Sequence, residues 1–437
     1  MTVLPGGLRV CVESVPQYGR GLAAVALTVA AGGDDDPAGR HGTAHLVEHL
    51  MFPRSGREGS AAPAGEGYAA LVAGAGGVCN AETHRDHTVF HTTVPAELLP
   101  DALAWEAGRL LGFAPTEDVI RTETDVIGEE IRGAGDAGRY WESALGALYP
   151  GSRDSFGTAA ELAGITAGEV EAFFRAHYTA PRMVLSVVGD VDPARVVAVV
   201  REVFAGVVRT AEEARAAEAP RTARETRAAE APRAAEEARV AGAVRTAEGT
   251  RAAEAPRTAT EIRTAPLPAA RPGVAVGHPL PDPVAERPAY LAQAVLAQVL
   301  GRSRLPALAR SARDGHRLTS ATVTCGYHGQ WLASAAPDLT LAVLGRAPGT
   351  EVGAAVDIWR SVLRAVADGP LPEAEHRRAV NSLLVAWHRQ ADSLPTRAVA
   401  LGRDALLLPG SAGVVRLSAA GRASGPAEPG RSRASRP

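Results

Sequence analysis

His45, Glu48 and His49 stand within five consecutive residues, His45-Leu46-Val47-Glu48-His49. On an α-helix, residues four apart lie one turn above each other, so the two imidazoles would share a face and be spaced for a single tetrahedral metal ion. Glu48 would lie on the adjoining edge. From there it reaches a metal-activated water without ligating the metal, the position of a general base. Read backwards, the string is the His-Glu-x-x-His zinc signature. With 12 His and 49 acidic residues in 437 positions, a His-x-x-acid-His string arises by chance about 0.04 times per chain. Two imidazoles beside a carboxylate, between a glycine-rich loop and a proline, also make little sense as core packing.

The flanking segments predict the frame that carries this string. Leu22 to Ala31 is apolar and partly alternating and breaks at Gly32-Gly33-Asp34, which reads as a buried strand and a loop. Thr43 is the expected N-cap of a helix running from Ala44 to Met51 and ending before Pro53. Thr88 to Val94 is β-branched and aromatic and reads as a strand closed by Pro95. Leu98 to Leu111 and Glu117 to Arg132 read as helices, and Met183 to Val188 as a short apolar strand. His84, His87 and His91 form a second histidine cluster, but on a strand His84 would face away from the other two, which argues against a second metal site.

From Arg209 the chain becomes a tandem repeat, with related 12-residue units starting at Arg209, Arg221, Arg233, Arg245 and Arg257. These units lack aromatic side chains and cannot bury enough apolar surface to offset ordering entropy, so they read as a linker inserted in a tolerant loop. Beyond them, helical patterns at Ala289 to Leu300, Ser303 to Ala312, Val352 to Ala367 and Glu373 to Ala391 surround a strand pattern at Thr319 to Gly326. The expected organisation is a first domain over 1–205, a linker over 206–272, a second domain over 273–409 and a disordered tail over 410–437. The fold class is α+β, with two related α/β domains that each pack helices on an antiparallel-rich sheet. A net charge of −3 gives no field to hold nucleic acid or an anionic membrane. No segment reaches the length of a membrane span, and three dispersed cysteines fit a reducing cytoplasm better than a disulfide framework.

Gly42-Thr-Ala-His-Leu-Val-Glu-His-Leu-Met-Phe52 resembles the zinc helix of the pitrilysin or insulinase family of metallopeptidases, in its short subfamily like the mitochondrial processing peptidase. Gly76 to Thr83 with Asp86 to Phe90 resembles the family's glycine-rich turn and edge strand, and Glu123-Thr-Asp-Val-Ile-Gly-Glu-Glu-Ile131 resembles its third-ligand helix. His177 to Asp190 resembles the close of the family's first domain. The resemblance runs through residues 1 to 205 and more weakly from Val274 to Leu407. It implies Zn2+ held by His45, His49 and Glu130, with Glu123 as an accessory carboxylate in catalysis and Asn80 and Ala81 as the strand that binds substrate. Chemistry alone leaves Glu129 open as the third ligand; the motif register favours Glu130.

The resulting expectation is a zinc endopeptidase acting on extended or unfolded peptides, with Glu48 as general base. A peptide held as an added strand would be read through its backbone more than its side chains. The alternatives are a non-catalytic subunit of a two-chain peptidase, and a protein with structural zinc, which usually has four protein ligands. The family resemblance also implies a dimer whose far half contributes an arginine and, seven residues on, a tyrosine. Arg313 matches the arginine, but the tyrosine position holds Ser320, which favours a heterodimer with a related chain that carries the tyrosine over a homodimer that manages with Ser320 or another hydroxyl nearby.

Overall fold

A computed structural model of the chain describes residues 1–52, 67–133, 136–149, 151–207, 273–304 and 318–408. The repeats, the tail from Gly410, Pro53, Arg313 and residues 305–312 of one expected helix lie outside the described residues. In chain order the elements are β1 (Thr2–Val3), β2 (Arg9–Ser14), α1 (Pro16–Gly19), β3 (Leu22–Val29), α2 (Thr43–Leu50), α3 (Tyr68–Gly74), β4 (Val78–Thr83), β5 (Thr88–Pro95), α4 (Leu99–Leu111), α5 (Glu117–Gly133), α6 (Asp136–Leu148), α7 (Ala159–Leu162), α8 (Ala167–His177), β6 (Met183–Gly189) and α9 (Pro193–Val203). After the repeats follow β7 (Gly273–Pro279), α10 (Arg287–Val299), β8 (Leu318–Cys325), β9 (Leu339–Arg346), α11 (Val352–Ala367), α12 (Glu373–Asp392) and α13 (Leu394–Leu406).

The first sheet has the order β1-β2-β6-β3-β5-β4 and is antiparallel except where β2 runs parallel to β6. The alternation along β3 explains why it is buried on both faces. Ala23, Val25, Leu27 and Val29 join the larger core with Leu46, Val47 and Met51 of the α2 region, while Ala24 and Ala26 point the other way, towards Ala398 of α13. The second sheet, β7-β9-β8, is wholly antiparallel. The chain is therefore of the α+β class, with two antiparallel-rich sheets packed with helices.

The two sheets exchange helices. α13, from the end of the described chain, lies on β3 and β6 of the first sheet, with the Arg9 guanidinium donating to the Ala405 carbonyl at 2.9 Å and Ser186 Oγ to that of Ala398 at 2.6 Å. Gly402 allows this approach, because a Cβ there would come within 2.5 Å of Thr28 Oγ1. In return α6 packs against β7 and β9, burying Trp141 and Leu145 with Tyr327, Leu339 and Leu341. Among the described residues no helix is long and apolar enough to cross a membrane.

Candidate metal centre

α2 is only eight residues long, too short to be stable from backbone bonds alone, and both of its ends are held by buried charges. Gly42 supplies the turn into it with a φ of 99°, a conformation that favours glycine. Thr43 is thus the first helical residue rather than the expected cap, and its Oγ1 donates backwards to the Arg40 carbonyl at 2.6 Å. The capping acceptor is Asp36, whose two carboxylate oxygens each take one backbone N–H, from Gly42 and Ala44, at 2.7 Å. That arrangement explains the correction: Asp36 comes from the preceding loop and satisfies the orphan donors that Thr43 would otherwise serve. At the other end, the Arg109 guanidinium donates to the Met51 carbonyl at 3.3 Å and pairs through two nitrogens with buried Glu106. The aromatic rings of Phe52, Tyr68 and Phe90 surround Arg109.

α2 and α5 bring His45, His49 and Glu130 together. Oε2 of Glu130 is 3.5 Å from Nε2 of His45 and 3.7 Å from Nε2 of His49. Zinc bonds of about 2.0–2.2 Å in a tetrahedron place neighbouring donors roughly 3.3–3.6 Å apart, close to the separations here, so the donor set fits Zn2+ with a small adjustment. Both rings have their far nitrogen engaged. Nδ1 of His45 faces the Phe156 carbonyl at 3.5 Å, and Nδ1 of His49 donates to Oε2 of Glu123 at 3.3 Å. These contacts fix the tautomers that leave each Nε2 lone pair towards Glu130. Burial and the neighbouring His49 push the His45 pKa down to about 4, which keeps the ring neutral, as a ligand requires. Glu129 turns outward and pairs with Arg132 at 2.6 Å, leaving it outside this group.

Glu48 lies beside these donors with its carboxylate accepting a hydrogen bond from Thr83 Oγ1. Burial raises its pKa to about 7, outweighing that bond. Thr83 ends β4, the edge strand on which Asn80 and Ala81 stand. Asn80 is exposed and Ala81 buried, and among the described residues β4 is the outermost strand of the sheet, ending next to Glu48.

The second histidine cluster departs from expectation. His84 and His87 are in the turn between β4 and β5 rather than on a strand, and their rings stack at 4.3 Å instead of facing apart. The backbone bond from His84 N–H to the His87 carbonyl folds the turn back on itself, which cancels strand alternation. His84 is engaged by Glu82 and His87 by Asp86. His91 remains on β5, opposite Asn80. Among the described residues, His45, His49 and Glu130 are the one group of three or more donors close enough to share an ion.

Residues 12–134 match the insulinase family of peptidases (peptidase family M16), and residues 164–383, half of the chain, match the peptidase M16 inactive domain. The chain belongs to the M16 peptidase family. It is 34% identical over 208 residues to a protein of Mycobacterium tuberculosis described as an uncharacterised zinc protease, and the match covers 46% of each chain. A probable mitochondrial-processing peptidase subunit beta of Arabidopsis thaliana is 31% identical over 211 residues, covering 47% of this chain and 38% of that one. The chain thus spans about half the length of the curated relatives it matches. Among solved structures, a protease from Helicobacter pylori superposes with a TM-score of 0.69 at 18% identity, covering 95% of this chain and 91% of that one. An M16 inactive domain from Pseudomonas fluorescens gives a TM-score of 0.65 at 16% identity, covering 97% of this M16 chain and 91% of its own.

The residues that pattern reading missed are Asp36, His41, Thr83, Asp154, Ser155 and Arg109. His41 lies between Asp36 at 3.1 Å and Asp154 at 3.4 Å. Asp154 in turn accepts the Phe156 N–H at 3.0 Å, two atoms of backbone away from the carbonyl that faces His45. Nothing in the spacing of these residues marks them, because their contacts, whether a few residues away as for Asp36 or distant as for Thr83, Ser155 and Arg109, follow no helical or strand periodicity.

Proposed function

We propose that this M16 chain is a zinc-dependent endopeptidase acting on extended peptides. The observation that carries the reading is the convergence of His45, His49 and Glu130 with Glu48 beside them. When bound, Zn2+ supplies a Lewis acid that acidifies water and polarises a peptide carbonyl. His45, His49 and Glu130 would hold it, and Glu123 would keep His49 in the ligating tautomer. Glu48 takes the proton of the attacking water and returns it to the leaving amine, and a pKa raised to about 7 matches a group that must do both. The edge of β4 around Asn80 and Ala81 binds the peptide by strand addition.

The Ser320 position supports a two-chain enzyme. Ser320 lies exposed on β8, and its short hydroxyl cannot span the distance a phenol would. A related chain without the zinc residues but with the tyrosine would complete the site, and similarity to a beta subunit agrees with this arrangement. The three described cysteines are free, which supports a cytoplasmic setting.

The test is zinc stoichiometry of the purified chain together with cleavage of a quenched peptide library, with and without chelator. Stoichiometric zinc with chelator-sensitive cleavage supports the peptidase. Stoichiometric zinc with cleavage only after addition of a related subunit supports the two-chain form. Absence of zinc binding would remove the reading.

A further inference from the structure

Ser155 lies in the loop between α6 and α7 and is 3% exposed. Its Oγ is 2.7 Å from the carbonyl of Thr83 and 2.6 Å from the hydroxyl of Tyr327. A serine hydroxyl has one proton, and a carbonyl can only accept, so Ser155 donates to Thr83 and Tyr327 must donate to Ser155. Thr83 donates its own hydroxyl to Glu48. The donors therefore run in one direction, from Tyr327 through Ser155 to the residue that orients Glu48.

Tyr327 belongs to the other half of the molecule, in the turn between β8 and β9. Its ring is fixed edge-on against Trp141 at 5.0 Å and packs on His84 at 4.7 Å. The same half also holds the turn that follows Thr83. Asp86 Oδ2 accepts the N–H groups of Ala335 at 2.6 Å and Ala336 at 3.0 Å, and the Arg85 guanidinium reaches the Pro337 carbonyl. The end of β4 is thereby braced on two sides by residues 327–337.

We propose that Tyr327, acting through Ser155 and Thr83, is a positioning residue for Glu48, so that the half of the chain without metal ligands sets the geometry of the base. The inference rests on the peptidase reading above. Both hydroxyls are buried and both are removable with little change in volume, by Tyr327→Phe and Ser155→Ala. A role in packing alone would leave these substitutions silent in catalysis, whereas a positioning role would not.

The experiment measures the wild type, Y327F, S155A and the double variant. Zinc content should be equal in all four, since none of the changes removes a ligand. Each single variant should lower kcat about tenfold to a hundredfold with KM within about twofold. The double variant should be no slower than the slower single one, because the two hydroxyls act in series. In zinc-free protein, amide exchange of β4 should accelerate about tenfold in both single variants. Unchanged kcat, losses that multiply in the double variant, or an effect confined to KM or to zinc content would overturn the proposal. A wild type without zinc-dependent cleavage would sink the functional reading instead, and the zinc-free exchange experiment would still decide whether Tyr327 and Ser155 brace the strand.

Discussion

Asp36 and Arg109 hold opposite ends of the helix that carries His45 and His49. The carboxylate of Asp36 meets the backbone N–H groups of Gly42 and Ala44, and the guanidinium of Arg109 meets the carbonyl of Met51. Each charge has the sign that complements the helix dipole at its end. An eight-residue helix has little stability of its own. Its two imidazoles are therefore held in place by residues from the loop before it and from α4.

Loss of either end is expected to cost stability by different amounts. Asp36→Ala removes a capping acceptor and should cost about 1–2 kcal/mol. Arg109→Met leaves Glu106 as an uncompensated buried charge and should cost about 3–5 kcal/mol. Adding Glu106→Gln to Arg109→Met should recover part of that loss. Urea midpoints on zinc-free protein measure all three, and a smaller loss in Arg109→Met than in Asp36→Ala would contradict the burial argument.

Glu48→Gln is expected to lower turnover by about 100-fold or more while leaving zinc bound, because the proposed base is removed and the proposed ligands are kept. Metal analysis and single-turnover cleavage on the same preparation provide the check. Undiminished turnover would exclude Glu48 as the base.

The three glutamates of α5 should separate by metal affinity. Glu130→Ala removes a donor 3.5 Å from His45 and should abolish stoichiometric zinc. Glu123→Ala frees Nδ1 of His49 and should weaken zinc by about 10–100-fold. Glu129→Ala removes an exposed partner of Arg132 and should leave affinity unchanged. Competition against a chromogenic chelator ranks the three, and full zinc in Glu130→Ala would move the ligand role elsewhere.

The difference between Glu130 and Asp36 also shows what the sequence reveals. His45, Glu48 and His49 are legible because their spacing is local, and Glu130 is legible through the motif register of α5. The strands β3, β5 and β6 and the helices α4, α5, α11 and α12 follow their apolar periodicity closely. Asp36, Asp154 and Ser155 are ordinary loop residues whose roles exist only after the chain has folded. His84 departs from its expected strand for a related reason. β-Branched neighbours suggest a strand, but the hairpin turn occupies residues 84–87, and turn geometry overrides alternation. The exchange of α6 and α13 between the sheets is equally invisible, since an amphipathic helix does not say which sheet it covers.

The pH dependence of stability should carry the signature of His41. Burial alone would lower its pKa, but the carboxylates of Asp154 and Asp36 on either side of the ring overcome that and bring it to about 9, against an ordinary value of 6.5. The folded state therefore binds the proton more tightly than the unfolded state. A group of this kind contributes its full stabilisation below about pH 6.5 and loses it as pH rises through about 9. The shift corresponds to at most about 3 kcal/mol. Because Asp36 also caps α2, loss of the His41 charge should loosen the helix that carries His45 and His49. Unfolding free energies of the wild type and His41→Gln, taken in urea at pH 6, pH 7.5 and pH 9.5 on zinc-free protein, isolate the effect from other groups. The advantage of the wild type should be largest at about pH 6 and smallest at about pH 9.5. An advantage that stays constant, or grows with pH, would show that His41 is neutral in the folded protein and that Asp36 and Asp154 do not hold a charged ring between them.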